Sequence, residues 1–199
     1  MTVIRDLVRK SRSFRGYNEN RRFTRKELEE LADCARLCPS SLNLQPLKYY
    51  LSWEKEETDR IQKLTGWALK LQGMTLPHPG KCPAAYIIIC QDTRISSAMN
   101  LFLRDVGAAA QTMLLVAAER GLGGCMLGTF KEKELKETLK LPEYLVPMLV
   151  VAFGEPDEKV VLTDLKEGES TDYYRDSQDI HYVPKRSLED VIVTAETLE

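Results

Sequence analysis

The run AAYIIIC, residues 84–90, constrains the fold more than any other stretch of the chain. It is short, β-branched and unbroken by polar residues, which suits a central strand buried on both faces. A second apolar run, YLVPMLVVAFGEP at 144–156, is stopped by Gly154 and Pro156. Between and before these runs the apolar spacing is helical. Ile4, Leu7 and Val8 mark a short helix that ends before residue 12. In FTRKELEELADCARLCPSS, Thr24 is an N-cap with Glu27 three residues on, a capping-box pattern. Leu28, Leu31, Ala32, Ala35 and Leu37 form its apolar stripe, and Pro39 stops it. KYYLSW alternates and reads as a strand. Residues 56–74 read as a second helix with Gly66 and Gly73 as weak points, and TLPHPGKCP reads as a loop.

The most apolar helix is NLFLRDVGAAAQTMLLVAAERGLGG, residues 100–124, ending at Gly121 with Arg120 in its last turn. Its small residues from Gly107 to Ala110 would let another backbone approach closely. KEKELKETLKLP is an amphipathic helix ended by Pro142. From about Asp157 the chain turns polar, so residues 157–199 read as an extended arm lying across a partner subunit or its own domain. The 199 residues form one α/β-type domain, with a core at about 4–156 and that arm.

A net charge of −2 argues against nucleic-acid or membrane partners, so any anion site must be local. The N-terminus is too charged for a signal peptide, and no apolar run approaches the ~20 residues a bilayer span needs. Five cysteines without a CxxC pair, Cys34, Cys38, Cys82, Cys90 and Cys125, suit free thiols in a reducing, cytoplasmic setting rather than a metal site.

Four stretches could carry chemistry. In RSFRGY, Arg12 and Arg15 are fixed cations with fork-shaped donors suited to phosphate, and Ser13 adds a hydroxyl. The plain alternative is a solvated basic turn. CPSSLNLQP strings Pro39, Ser40, Ser41, Asn43 and Gln45 on a stiffened loop whose amides suit a heteroaromatic edge, or is an ordinary helix-to-strand connection. GLGGCMLG, with Leu122, Gly123 and Gly124, permits close approach of a flat ligand, or is a helix cap and tight turn. It is neither GxGxxG nor a Walker loop. In PKRSLEDVI, Lys185 and Arg186 are adjacent cations. His78 and His181 fall in no catalytic pattern.

In this order and spacing the four stretches resemble the FMN-dependent nitroreductase family, over about residues 4–192. Arg12-Ser13-Phe14-Arg15-Gly16-Tyr17 fits a phosphate motif R-S-x-[RK]-x-[FY], and residues 39–46 fit P-S-x-x-N-x-Q-P without a gap. The long helix with Gln111 running into Gly121–Gly124 looks like that family's central helix and flavin-facing loop, and VVAFGEP looks like its last core strand. The resemblance implies an α+β fold, with a mainly antiparallel sheet flanked by helices, in an intertwined homodimer. It implies FMN held by Arg12, Ser13, Lys185 and Arg186 at the phosphate and ribityl chain, and by Arg15 at the pyrimidine edge. Pro39, Ser40, Ser41, Asn43 and Gln45 would approach the ring from the partner subunit, and Leu122, Gly123 and Gly124 would present backbone near it. The implied activity is ping-pong hydride transfer from NADH or NADPH to a small-molecule electron acceptor, a nitroaromatic, a quinone or similar. The chemistry would be carried by FMN and not by a catalytic side chain. A non-catalytic FMN-binding sensor or flavin store is the alternative on the same fold. Leu47 stands where an aromatic is common in the family, Ser11 where many carry an arginine, and residues 60–80 align with no motif.

Overall fold

AAYIIIC lies at the centre of a four-stranded sheet. In the computed structural model residues 3–195 are described, except Gln72 and Glu167. They divide into two units, Met1–Trp67 with Thr75–Asp157, and Ala68–Met74 with Glu158–Glu199.

In the first unit the strands are β1 (Leu47–Ser52), β2 (Ala85–Asp92), β3 (Gly123–Leu127) and β4 (Leu145–Gly154). Their order is β1-β2-β4-β3, and every neighbouring pair is antiparallel. All eight residues of β2 are buried. Strand alternation sends Ile87 and Ile89 to one face and Tyr86, Ile88 and Cys90 to the other. The first face packs against α2 (Arg25–Arg36) and α4 (Leu103–Glu119), through Leu28, Leu31, Ala35, Ala109, Ala110 and Met113. The second packs against α3 (Lys55–Gln62) and α5 (Glu132–Leu139), through Ile61, Leu135 and Leu139. The fold is therefore α+β, an antiparallel sheet between helical layers. The β2–β4 register shifts between Ile89 and Cys90, where Pro147 faces Cys90. A proline has no amide to give the ladder, and the bulge absorbs it.

The capping box at Thr24 and Glu27 is present in both directions. Leu28, Leu31 and Ala35 are buried as the stripe requires, but Leu37 follows the helix and is exposed. The long helix ends in a Schellman cap, with the Leu122 amide donating to the Ala117 carbonyl at 2.9 Å and the Gly121 amide to Ala118 at 3.2 Å. Gly121 has φ +73. Gly107 and Ala108 are exposed, and among the described residues nothing lies within 4 Å of where a β-carbon at Gly107 would stand.

Three expectations change. The helix expected over 56–74 spans only Lys55–Gln62. Beyond it Thr65 bridges Phe130, and the Gly66 amide donates to the Thr129 carbonyl at 2.7 Å, so the backbone pairs with another segment instead of its own turn. GLGGCMLG is not a loop throughout, because Gly123–Leu127 is the edge strand β3. Met99–Glu119 is long and apolar enough to cross a membrane by length and composition, contrary to the sequence reading; half of its most apolar window is buried inside the fold.

Residues after Glu158 form a small sheet of their own. β5 (Val160–Asp164) runs parallel to β7 (His181–Lys185), and β6 (Tyr174–Arg175) pairs antiparallel with β7. A short α6 (Leu188–Val191) follows, capped by Ser187 and Asp190. This unit is organised by polar groups. Arg175 and Glu158 pair with 2% and 3% of their side chains exposed, and buried His181 lies 5.3 Å from the Tyr173 ring.

Candidate functional site

α1 (Val3–Lys10) ends just before Arg12, and the chain then runs extended beside β3. Ser13 bridges Gly124 in parallel, and the Phe14 amide donates to the Gly124 carbonyl at 3.0 Å. The Phe14 ring lies over Gly123, where a β-carbon would come within 2.4 Å of it and 2.8 Å of Pro156. At Gly124 a β-carbon would meet the Ala152 carbonyl oxygen at 2.3 Å and Leu114 at 2.6 Å. These two buried glycines are needed by the chain itself, to seat RSF on the sheet edge. Tyr17, fully buried, anchors the far end of the motif: its hydroxyl donates to the Phe14 carbonyl at 2.6 Å and its ring lies against Gly154.

This seating fixes the two arginines. The Arg12 guanidinium donates through Nη2 to the Val8 carbonyl at 2.5 Å, while its Nε is buried without a hydrogen-bond partner. Burial lowers its pKa, which marks a cation partly removed from water. Arg15 donates to the Ser13 carbonyl at 3.1 Å. Ser13 is exposed. A half-buried guanidinium with an unused Nε donor, an adjacent hydroxyl and a second guanidinium three residues on suit an anion.

The second cluster lies on the 39–46 loop. Ser40 Oγ donates to Asp105 Oδ2 at 2.7 Å, the Ser41 amide to the same oxygen at 2.9 Å, and Ser41 Oγ to Asp105 Oδ1 at 2.9 Å. The Gln45 amide donates back to Ser40 Oγ at 3.0 Å, and Gln45 Nε2 to Asn43 Oδ1 at 3.1 Å. Leu42, Asn43 and Gln45 all have positive φ, between 50 and 53. Asn43 and Gln45 are both exposed. Beside the loop is a pocket of about 210 Å³, lined by Cys38, Pro39, Ser40, Gln45, Tyr49 and Asp105 among others. Burial first, then the Cys38 and Asp105 charges, push the Tyr49 phenol up to about 12.

RSF and Gly123–Gly124 are thus brought together, and Ser40, Ser41 and Gln45 are brought onto Asp105. The two clusters lie along one helix: Asp105 is in the first turn of α4, and Leu114, against Gly124, stands about 14 Å along its axis. Leu122 is buried under the helix cap. Lys185 and Arg186 are exposed on the second unit, at the end of β7 and just after it. Asp105 was missed by sequence reasoning. Its signal was an acid in register with core residues Ala109 and Met113, on a helix otherwise apolar on that face.

The model of the nitroreductase family matches residues 8–155. An Archaeoglobus fulgidus protein named for an NADH dehydrogenase/NAD(P)H nitroreductase is 29% identical over 159 residues, 77% of this chain and 86% of its own. The Bacillus subtilis FMN reductase (NAD(P)H) is 24% identical over 177 residues, 79% of this chain and 67% of its own. A structure from Exiguobacterium sibiricum, described as a nitroreductase in complex with FMN, shares the fold with a TM-score of 0.66 at 17% identity, covering 79% of this chain and 90% of that one.

Proposed function

Because the chain belongs to the nitroreductase family, we propose that it is an FMN-dependent NAD(P)H oxidoreductase reducing small-molecule acceptors such as nitroaromatics and quinones. The observation that carries this reading is Arg12, half-buried beside Ser13 with Nε unused. That donor set fits the FMN phosphate. Arg12 and Ser13 hold the phosphate end, and Arg15 supplies positive charge toward the pyrimidine edge. Pro39, Asn43 and Gln45 meet the ring system with a stiff surface and exposed amides. When bound, FMN supplies the hydride-accepting and electron-donating chemistry. The side chains bind, orient and bias charge; the Tyr49 phenol, held protonated, offers a hydrogen-bond donor in the neighbouring pocket.

The working form is a homodimer. Val3, Ile4 and Val8 of α1 leave the apolar stripe of that helix exposed, and Leu42 and Leu103 beside the 39–46 loop are 81% and 54% exposed. Apolar groups left uncovered in one chain mark a surface for another. With the RSF and 39–46 clusters at different positions along α4, each flavin takes the first from one protomer and the second from its partner.

Steady-state turnover tests the reading. Under anaerobic conditions the FMN-reconstituted protein should turn over NADH or NADPH only when a nitroaromatic or quinone is added, and it should sediment as a dimer. Bound FMN with no acceptor-dependent consumption of either nucleotide would overturn the enzyme reading and leave the sensor or storage alternative.

A further inference from the structure

The 39–46 loop presents a physical problem that the flavin reading leaves open. Three of its non-glycine residues, Leu42, Asn43 and Gln45, adopt left-handed backbone conformations that L side chains disfavour. Leu42, Asn43, Leu44 and Gln45 are all exposed, so apolar packing within this chain does not hold that stretch down. A second oddity lies beneath it. Asp105 is 6% exposed on the core-facing side of α4, in register with Ala109 and Met113. A carboxylate there is unfavourable unless donors surround it.

Each oddity accounts for the other. Asp105 receives the Ser40 hydroxyl, the Ser41 amide and the Ser41 hydroxyl. The Ser41 hydroxyl also reaches the Leu101 carbonyl at 3.2 Å. Through Ser40 Oγ, which accepts the Gln45 amide, the hold extends to the far end of the left-handed stretch. Position near the N-terminus of α4 further favours the negative charge.

We propose that Asp105 is the positioning residue of this site: through Ser40 and Ser41 it holds the strained 39–46 loop in the one conformation that meets the flavin. The serine hydroxyl protons are committed inward, so Ser40 and Ser41 act as struts, and Asn43 and Gln45 are the loop's outward-facing donors and acceptors. That Asp105 holds the loop follows from the geometry alone; that the loop meets a flavin rests on the proposed function.

Two readouts on Asp105→Asn separate these parts. In the flavin-free protein, hydrogen exchange at the Ser41 and Gln45 amides should quicken at least about tenfold, while amides of β2 keep their protection. In titrations with FMN, Kd should rise about tenfold, equivalent to about 1.4 kcal/mol. The Ser40→Ala/Ser41→Ala pair should reproduce the rise in Kd and the quickened Gln45 exchange, and adding Asp105→Asn to that pair should raise Kd by less than it does in the wild type, because only the Ser41 amide then still reaches the carboxylate. Should Asp105→Asn fail to fold, Ser40→Ala alone still releases the Gln45 amide and should quicken its exchange. Unchanged exchange in these variants, or an Asp105→Asn effect that adds in full to the serine pair, would overturn the proposal. A wild-type protein that binds no FMN would overturn the function instead, with the exchange comparison still deciding Asp105.

Discussion

Replacing Gly124 by alanine is the sharpest perturbation of the site's scaffold. The added β-carbon would lie 2.3 Å from the backbone oxygen of Ala152 and 2.6 Å from Leu114, both inside the 3.0 Å that real β-carbons keep. The oxygen belongs to the neighbouring strand β4, paired directly with β3, so it cannot swing aside as a flexible side chain would. Relief requires β3 to move off β4, and the Phe14 amide bonded to the Gly124 carbonyl moves with it. Overpacking of a tight core costs about 1–3 kcal/mol, and a backbone collision places this case at about 3 kcal/mol. Gly128 is the control: it is exposed, and a β-carbon there meets nothing within 4 Å. Urea unfolding followed by tryptophan fluorescence should show Gly124→Ala destabilised by about 3 kcal/mol and Gly128→Ala within about 0.5 kcal/mol of wild type. The same Gly124→Ala protein should bind FMN more weakly, since RSF is seated on the displaced strand. A Gly124→Ala variant as stable as wild type would refute the claim that these glycines exist to let strands and Phe14 close.

Other consequences follow from the same contacts. Arg12→Ala should weaken FMN binding about tenfold to a hundredfold, the range for losing a charge-assisted phosphate bond, and the loss should shrink in high salt when read by flavin fluorescence. Breaking the buried pair with Glu158→Ala should cost the second unit about 1–3 kcal/mol, seen as lost exchange protection on β5 and β7, because buried Arg175 is left with Asp179 as its remaining ion-pair partner. Burial opposes the charge on Glu27, but hydrogen bonds from Arg21 and Thr24 outweigh it and lower its pKa. A carboxylate lowered in the fold contributes stability above its unfolded pKa and loses it as pH falls through the folded one. Glu27→Gln should therefore cost a few tenths to about 1 kcal/mol at neutral pH, and the gap in melting temperature should close below the ordinary glutamate range.

The parts of this protein that sequence reveals are those decided by neighbours in the chain. Thr24 and Glu27 are three residues apart and cap α2 as written, and AAYIIIC is buried on both faces because nothing polar interrupts it. What escaped is decided by distant partners. The helix past Gln62 is forgone because Gly66 pairs with Thr129. The glycines at 123 and 124 read equally as a cap or a ligand loop until Phe14 and Ala152 are seen against them. Asp105 is separated from Ser40 and Ser41 by over sixty residues, so neither stretch alone reveals the bond. After Glu158 the order comes from a buried ion pair and tyrosine contacts, which hydrophobic periodicity does not register.

Electron transfer from a nicotinamide cofactor through bound FMN is read out by one anaerobic spectrum. The FMN-loaded protein is mixed with NADH, then in a second sample with NADPH, and the visible flavin band is followed. The band should bleach promptly with at least one donor and recover in full when a quinone or nitroaromatic is added. A band that stays oxidised with both donors would contradict transfer from either nucleotide to the flavin.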